Sequence, residues 1–251
     1  MPTHFINPTK LPVDQSFSKA DLDTPILAVD LDKMDANVAE ISQGTRDFEV
    51  QWRPHCKGHK SSQIASRLVD AGAIGATCAK LAEAEVMVRG GVTDVLIANL
   101  IVGEAKLKRL ANLCKEGDPI VCIDHLDQAN PMSEVMSREG VECRAIIEVN
   151  IGLDRVGCSP QATLELARQL HALPGIKFAG IMGYEGHLLT LEDQDEKRIK
   201  IEQALKLLAD NAEQLKAAGI PCDIVSCGGT GSYLLSRMQP GITELQAGGG
   251  M

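Results

Sequence analysis

No run of apolar residues in this sequence approaches the roughly 18 needed to span a bilayer. The first residues, Met1-Pro2-Thr3-His4-Phe5-Ile6-Asn7, lack the charged segment followed by an apolar one that marks a secretory leader. A membrane partner is therefore not expected, and a cytoplasmic location is. Nor is there an extended Lys/Arg-rich stripe. The 34 Asp and Glu outweigh the 25 Lys and Arg, giving a net charge of -9 and a pI near 5.2, which argues against nucleic acid as a partner. The eight cysteines show neither paired CxxC spacing nor the His/Cys spacing of a zinc site, and Cys122, Cys143 and Cys222 sit in apolar runs. They read as reduced and mostly buried, so no metal site is expected from them. No GxGxxG follows the first strand, which leaves a dinucleotide-binding sheet with little support.

What the chain does have is a globular composition, 44% hydrophobic and 24% charged over 251 residues, enough for one large core or two modest ones. Residues 1–24 carry three prolines and little periodicity and read as an extended arm; residues 25–251 carry the fold. A strand is expected at 26–31 and a helix at 32–42, with Met34, Val38 and Ile41 at helical spacing. From there strands at 48–57, 73–78, 94–100, 119–125, 143–150, 176–183, 223–227 and 242–247 alternate with helices at 61–71, 81–90, 103–116, 127–139, 160–172, 191–218 and 232–238. Runs such as Val95-Leu96-Ile97-Ala98 and Ile120-Val121-Cys122-Ile123 suit parallel strands buried on both faces. Eight strands counted from residue 48 and eight helices counted from residue 32 give an α/β fold, a closed (β/α)8 TIM-like barrel. An open doubly wound sheet is the alternative, and the strand at 26–31 lies outside the barrel count.

The stretch Trp52-Arg53-Pro54-His55-Cys56-Lys57-Gly58-His59-Lys60 crowds basic and imidazole side chains around one thiol. Side chains alternate across a strand, so Arg53, His55 and Lys57 share one face and Trp52, Pro54 and Cys56 the other. If the first face points into a barrel it buries charge, at a cost that a partner or ligand must offset. A lysine so placed has its pKa pushed down and becomes a candidate amine nucleophile. The plainer reading is a solvated basic turn.

Barrel chemistry gathers at the C-terminal ends of the strands. Those ends carry Lys57, Asn99, Asp124-His125, Glu148-Val149-Asn150 with Arg155 shortly after, Gly183-Tyr184-Glu185-Gly186-His187, Cys227-Gly228-Gly229-Thr230-Gly231-Ser232-Tyr233 and Gln246-Ala247-Gly248-Gly249-Gly250. Glycine clusters after the last two strands suit a phosphate, because backbone N–H groups can approach it closely and Thr230 or Ser232 can add a hydroxyl. A phosphate cradle opposite a lysine points to pyridoxal 5'-phosphate, a phosphorylated aldehyde that needs an amine.

On these motifs, with Thr24-Pro25 and Asp30-Leu31-Asp32, the sequence from about residue 24 onward resembles the D-threonine aldolase group of the alanine-racemase-type (fold-type III) pyridoxal phosphate enzymes. The resemblance implies a barrel of the alanine racemase N-terminal domain type. It makes Lys57, rather than Lys60, the Schiff-base lysine and Arg155 the contact to the cofactor's phenolic oxygen. Gly229, Thr230, Gly231, Gly248 and Gly249 fall at phosphate-binding positions, and Tyr184 is placed to stack on or hydrogen-bond the cofactor, a core tyrosine being the equal alternative. Gln246 stands where alanine racemases place an arginine against the pyridine nitrogen, which argues against simple racemase chemistry, since an amide holds no positive charge there. His59, His125 and His187 are the candidate bases.

The implied reaction is cleavage of D-β-hydroxy-α-amino acids such as D-threonine or D-3-hydroxyaspartate to glycine and an aldehyde. The alternatives are a D-serine or D-3-hydroxyaspartate dehydratase and a non-catalytic pyridoxal phosphate barrel. Members of the group continue into a β-rich domain that pairs with the strand at 26–31 and binds a divalent metal, Mn or Mg, through a histidine and an aspartate. This sequence stops at Met251, directly after the last expected strand, and reads as the barrel alone, a fragment rather than a lone working barrel; the metal and a homodimer are expected of the full-length protein, and this chain by itself is expected to cleave little or no substrate.

Overall fold

The computed structural model describes residues 25–250, so the expected arm at 1–24 lies outside the described residues. Eight strands and eight helices alternate: α1 (Leu31–Arg46), β1 (Gln51–Trp52), α2 (Ser62–Asp70), β2 (Ala76–Cys78), α3 (Leu81–Arg89), β3 (Asp94–Leu100), α4 (Glu104–Glu116) and β4 (Asp118–Ile123). They continue as α5 (Leu126–Glu139), β5 (Cys143–Glu148), α6 (Thr163–Ala172), β6 (Ile176–Met182), α7 (Gln194–Ala217), β7 (Ile224–Cys227), α8 (Tyr233–Ser236) and β8 (Glu244–Leu245).

All paired strands are parallel, in the spatial order β1-β8-β7-β6-β5-β4-β3-β2. The two ends of this order meet. Ile74 N–H donates to Trp52 O at 2.9 Å, Thr77 N–H to Pro54 O at 2.8 Å, and Cys56 N–H to Thr77 O at 2.7 Å. These bonds close the barrel between β1 and β2. Strand faces then sort the apolar residues. Leu96, Ile120, Cys122, Ile146 and Met182 form an inner cluster, whereas Val95, Ile97, Val121, Ile123, Ala145 and Ile147 pack outward with the helices.

Two expectations are corrected here. Residues 25–30 form no strand: Leu27 is 99% exposed, and the Asp30 carboxylate accepts from Lys33 N–H, capping α1 one residue earlier than expected. The first barrel strand is shorter than 48–57. Pro54 has no N–H to give to a ladder, and the chain rejoins it at His55, which bridges Thr77 and donates its N–H to Gln246 O at 3.2 Å, before turning at Lys57.

The alternation across Trp52–Lys57 is kept, but the charge it buries belongs to Arg53, while Lys57 is exposed. Arg53, 2% exposed, has Nε 3.1 Å from Glu244 Oε2 and Nη1 2.7 Å from Asp94 Oδ1. Arg144 also pairs with Asp94, and with Asp118 at 2.8 Å. Asp94, Asp118 and Glu244 each open their strand, so this network sits at the N-terminal end of the barrel, where residues serve stability.

Candidate active site

At the opposite end, the strand termini enclose a cavity of about 580 Å³. Lys57, Arg155, Tyr184, Gly229, Thr230, Gly231, Gln246, Gly248 and Gly249 all line it, so nine expected site residues from five separate segments converge. His59 and His187 do not line it, and His125 caps α5 with its side chain 70% exposed. The His59 Nδ1 accepts from Ser61 N–H at 3.1 Å, and its Nε2 is buried with no partner among the described residues. His187 packs on the loop that carries Arg155: a Cβ on Gly152 would lie 2.8 Å from its Nε2.

Lys57 is presented by a turn that closes with Lys60 N–H donating to Cys56 O at 2.8 Å, while buried Cys56 anchors the turn in the core. Lys57 N–H donates to His55 Nδ1 at 3.3 Å. Burial, with the Lys57 cation beside it, pushes the His55 imidazole down to about 4, so it is neutral at pH 7. An Nδ1 that accepts implies a proton on Nε2.

Arg155 lies on a loop tied down at several points. Asn150 Oδ1 accepts from Gly152 and Asp154 N–H, Asn150 N–H donates to Cys158 O, and Asp124 Oδ2 accepts from Gly157 N–H at 3.0 Å. Beneath the guanidinium, Glu148 Oε1 lies 3.5 Å from Arg155 Nη2. Burial pushes the Glu148 carboxyl up, with Arg155 opposing. The Tyr184 ring lies between the two cations, with Lys57 Nζ and the Arg155 guanidinium carbon each 5.9 Å from its centroid. Burial also pushes the Tyr184 hydroxyl up, so it enters the site as an O–H donor.

The glycine segments form the third wall. Gly228 has φ +82, a conformation that side chains rarely adopt, and it turns the chain sharply after β7. Gly248 fits only because it lacks a side chain: a Cβ there would lie 2.3 Å from His55 O. Gly249 N–H donates to Thr230 Oγ1 at 2.6 Å, joining the two segments. Among the described residues, the N–H groups of Thr230, Gly231 and Gly248 donate to no protein group, and all three line the cavity. Gln246 Nε2 donates to Ser226 Oγ at 2.9 Å.

His55, Asn99 and Met182 also line the cavity, and Glu148 and Glu185 stand behind its polar residues. Asn99, Glu148 and Glu185 stood at expected strand ends and His55 shares the strand face of Lys57 at i-2, whereas Met182 carried no signal beyond its apolar strand. Among the described residues, no group of three or more His, Cys, Asp or Glu is placed to hold a metal ion, and no helix is long and apolar enough to cross a membrane.

Residues 29–251 match the family described as alanine racemase, N-terminal domain. The crystal structure of D-threonine aldolase from Filomicrobium marinum superposes with a TM-score of 0.89 at 36% identity, covering 92% of this chain and 63% of that one. The D-threo-3-hydroxyaspartate dehydratase of Delftia sp. HT23 superposes with a TM-score of 0.83 at 31% identity, covering 90% and 60%. The 3-hydroxy-D-aspartate aldolase of Paracoccus denitrificans is 31% identical over 242 residues, 95% of this chain and 62% of that protein. The chain thus spans about three fifths of the length of the proteins it matches. By its barrel, its strand-end residues and its match over residues 29–251, the chain belongs to the family of the alanine racemase N-terminal domain.

Proposed function

We propose that the cavity binds pyridoxal 5'-phosphate and that the protein is a lyase acting on D-β-hydroxy-α-amino acids, cleaving Cα–Cβ to leave glycine and an aldehyde. The observation that carries the reading is the convergence in one cavity of the Lys57 amine, the Arg155 guanidinium and the glycine-segment amides. The residues present fit the cofactor. Thr230, Gly231 and Gly248 have N–H groups to give to a phosphate, Arg155 has donors for an anionic ring oxygen, and Lys57 has the amine that an aldehyde requires. When bound, the cofactor supplies a sink for the electron pair released as a bond to the substrate's Cα breaks.

The chain's own residues do the rest. The glycine segments and Arg155 fix the orientation, and Tyr184 spans the space between Lys57 and Arg155. Gln246 gives the cavity lining a neutral amide, holding no cation there. For proton transfer the cavity lining offers the Lys57 amine; His55, neutral and with its Nδ1 occupied by the backbone N–H of Lys57, has no free lone pair and holds the Lys57 turn instead.

A second reading has support in the likeness to a D-threo-3-hydroxyaspartate dehydratase: the same class of substrate would lose its β-hydroxyl as water. Product analysis separates the two. Incubation of cofactor-loaded protein with D-threonine and with D-3-hydroxyaspartate should yield glycine and an aldehyde. Ammonia and an oxo acid in their place would make the protein a dehydratase. Because the chain spans about three fifths of its relatives, the assay is run with and without added Mn or Mg and on any longer natural chain that contains it. Stable cofactor binding with neither set of products from that longer chain would leave a non-catalytic pyridoxal phosphate barrel.

A further inference from the structure

Glu185 follows Tyr184 directly, is 0% exposed, and makes no ion pair among the described residues. A carboxylate out of water without a cation requires strong donors instead. All of those it has come from the glycine segment after β7 and from α8. Ser232 Oγ donates to Glu185 Oε1 at 2.5 Å, Ser236 Oγ lies 2.9 Å from the same oxygen, and Gly228 N–H donates to Oε2 at 3.4 Å. The first of these is as short as charge-assisted O–H donation gets.

The consequence passes along the loop. With its proton given to Glu185, Ser232 Oγ has lone pairs left, and it accepts from Gly229 N–H at 3.1 Å. The amides of Gly228 and Gly229 are thus both drawn to acceptors inside the protein. The next two amides, Thr230 and Gly231, have no protein acceptor among the described residues and line the cavity. A Cβ on Gly229 would come within 3.2 Å of the Tyr184 hydroxyl, so the loop also packs on the residue next to Glu185. The carboxylate accepts from two hydroxyls and an amide at once; a glutamine there would turn its N–H₂ on Gly228 N–H or on the hydroxyls, which would then have to give their protons to Gly229 O and Ser232 O.

We propose that Glu185 is the positioning residue of the anion cradle: its buried carboxylate fixes the Gly228–Ser232 turn so that the N–H groups of Thr230 and Gly231 face a phosphate. The proposal rests on the reading that this cavity takes a phosphorylated aldehyde. Its signature is selectivity. A residue that merely stabilises the barrel affects all ligands alike, whereas one that sets the cradle affects only those with a phosphate.

The experiment is a titration of wild-type protein and the variants Glu185→Gln and Ser232→Ala with pyridoxal 5'-phosphate and with pyridoxal. In Glu185→Gln the affinity for pyridoxal 5'-phosphate should fall about tenfold or more, and that for pyridoxal less than about twofold, in line with loss of a charged hydrogen-bond centre. Ser232→Ala, which leaves Glu185 intact but frees Gly229 N–H, should lower the same ratio by about threefold or more. It also serves as the test if Glu185→Gln does not fold. An unchanged ratio in a folded variant overturns the role of Glu185 and leaves the cradle standing. A wild-type protein with no preference for the phosphorylated aldehyde removes the cradle itself, and the proposal with it.

Discussion

Lys60 Nζ lies 2.8 Å from Glu83 Oε1, and this ion pair occupies the second lysine of the stretch Arg53–Lys60 away from the cavity that Lys57 lines. Glu83 is itself fixed, because its Oε2 accepts from Ala79 N–H at 2.7 Å. Borohydride treatment of protein with pyridoxal 5'-phosphate should therefore attach the cofactor's mass to the peptide that contains Lys57. Lys57→Ala should lose the adduct, and Lys60→Ala should keep it. An adduct mapped to Lys60 or Lys80 would contradict the placement of Lys57.

Arg53 and Glu244 make a second prediction, concerned with stability. They are 2% and 3% exposed and bonded to each other. Removing one partner leaves a buried charge uncompensated, which costs about 3–5 kcal/mol. Arg53→Ala should lower the unfolding free energy by about that much. Arg53→Met combined with Glu244→Leu should recover most of it, since no lone charge remains. Denaturant unfolding of the two variants measures the difference; a loss below about 1 kcal/mol in Arg53→Ala would show that the pair is not needed.

The contrast between Arg53 and Lys57 shows where sequence reasoning reached and where it stopped. The alternation of Trp52–Lys57 set both side chains on the inner face, and the apolar runs of β3 and β4 set the parallel barrel. Which of the two is buried depends on Asp94 and Glu244, brought in from 41 and 191 residues away along the chain. The same holds at the cavity. Lys57, Arg155 and the glycine segments were legible because strand ends carry barrel chemistry. His59, His125 and His187 read as candidate bases, yet the first and last turn to Ser61 and Gly152 and His125 caps α5, so none lines the cavity. Glu185 stood in the sequence as part of a strand-end motif, but its role was not legible there, since it lies in three donors 43 to 51 residues further on.

Gly248 and Gly231 should respond differently to the same substitution. A Cβ on Gly248 would lie 2.3 Å from His55 O and 2.4 Å from His55 N, backbone atoms held by the barrel closure. A Cβ on Gly231 would meet only Leu189 side-chain atoms at 3.3 Å and beyond, which can give way. Gly248→Ala should cost about 1–3 kcal/mol of stability by overpacking and weaken binding of pyridoxal 5'-phosphate. Gly231→Ala should leave the melting temperature nearly unchanged. Thermal unfolding of both variants provides the comparison, and equal melting temperatures would remove the close approach of Gly248 to His55 from the account.

His55 gives the last prediction. Burial and the neighbouring Lys57 cation hold its pKa at about 4 in the folded chain, against about 6.5 when unfolded. Between those values the unfolded state binds more protons, so stability rises with pH there. The contribution is complete above about pH 6.5 and is lost as the pH falls towards 4. His55→Gln removes the titrating group. The stability of wild type relative to His55→Gln should therefore decline by about 1–2 kcal/mol between pH 7 and pH 4, a figure discounted for the partial exposure of the ring. Carboxylates titrate in both proteins and largely cancel in the difference. The local consequence is separable by NMR: protonating Nδ1 breaks the bond from Lys57 N–H, so the Lys57 amide resonance should move with the same low midpoint as the imidazole. An imidazole that titrates near pH 6.5 in the folded protein would mean that His55 is solvated and does not hold the Lys57 turn.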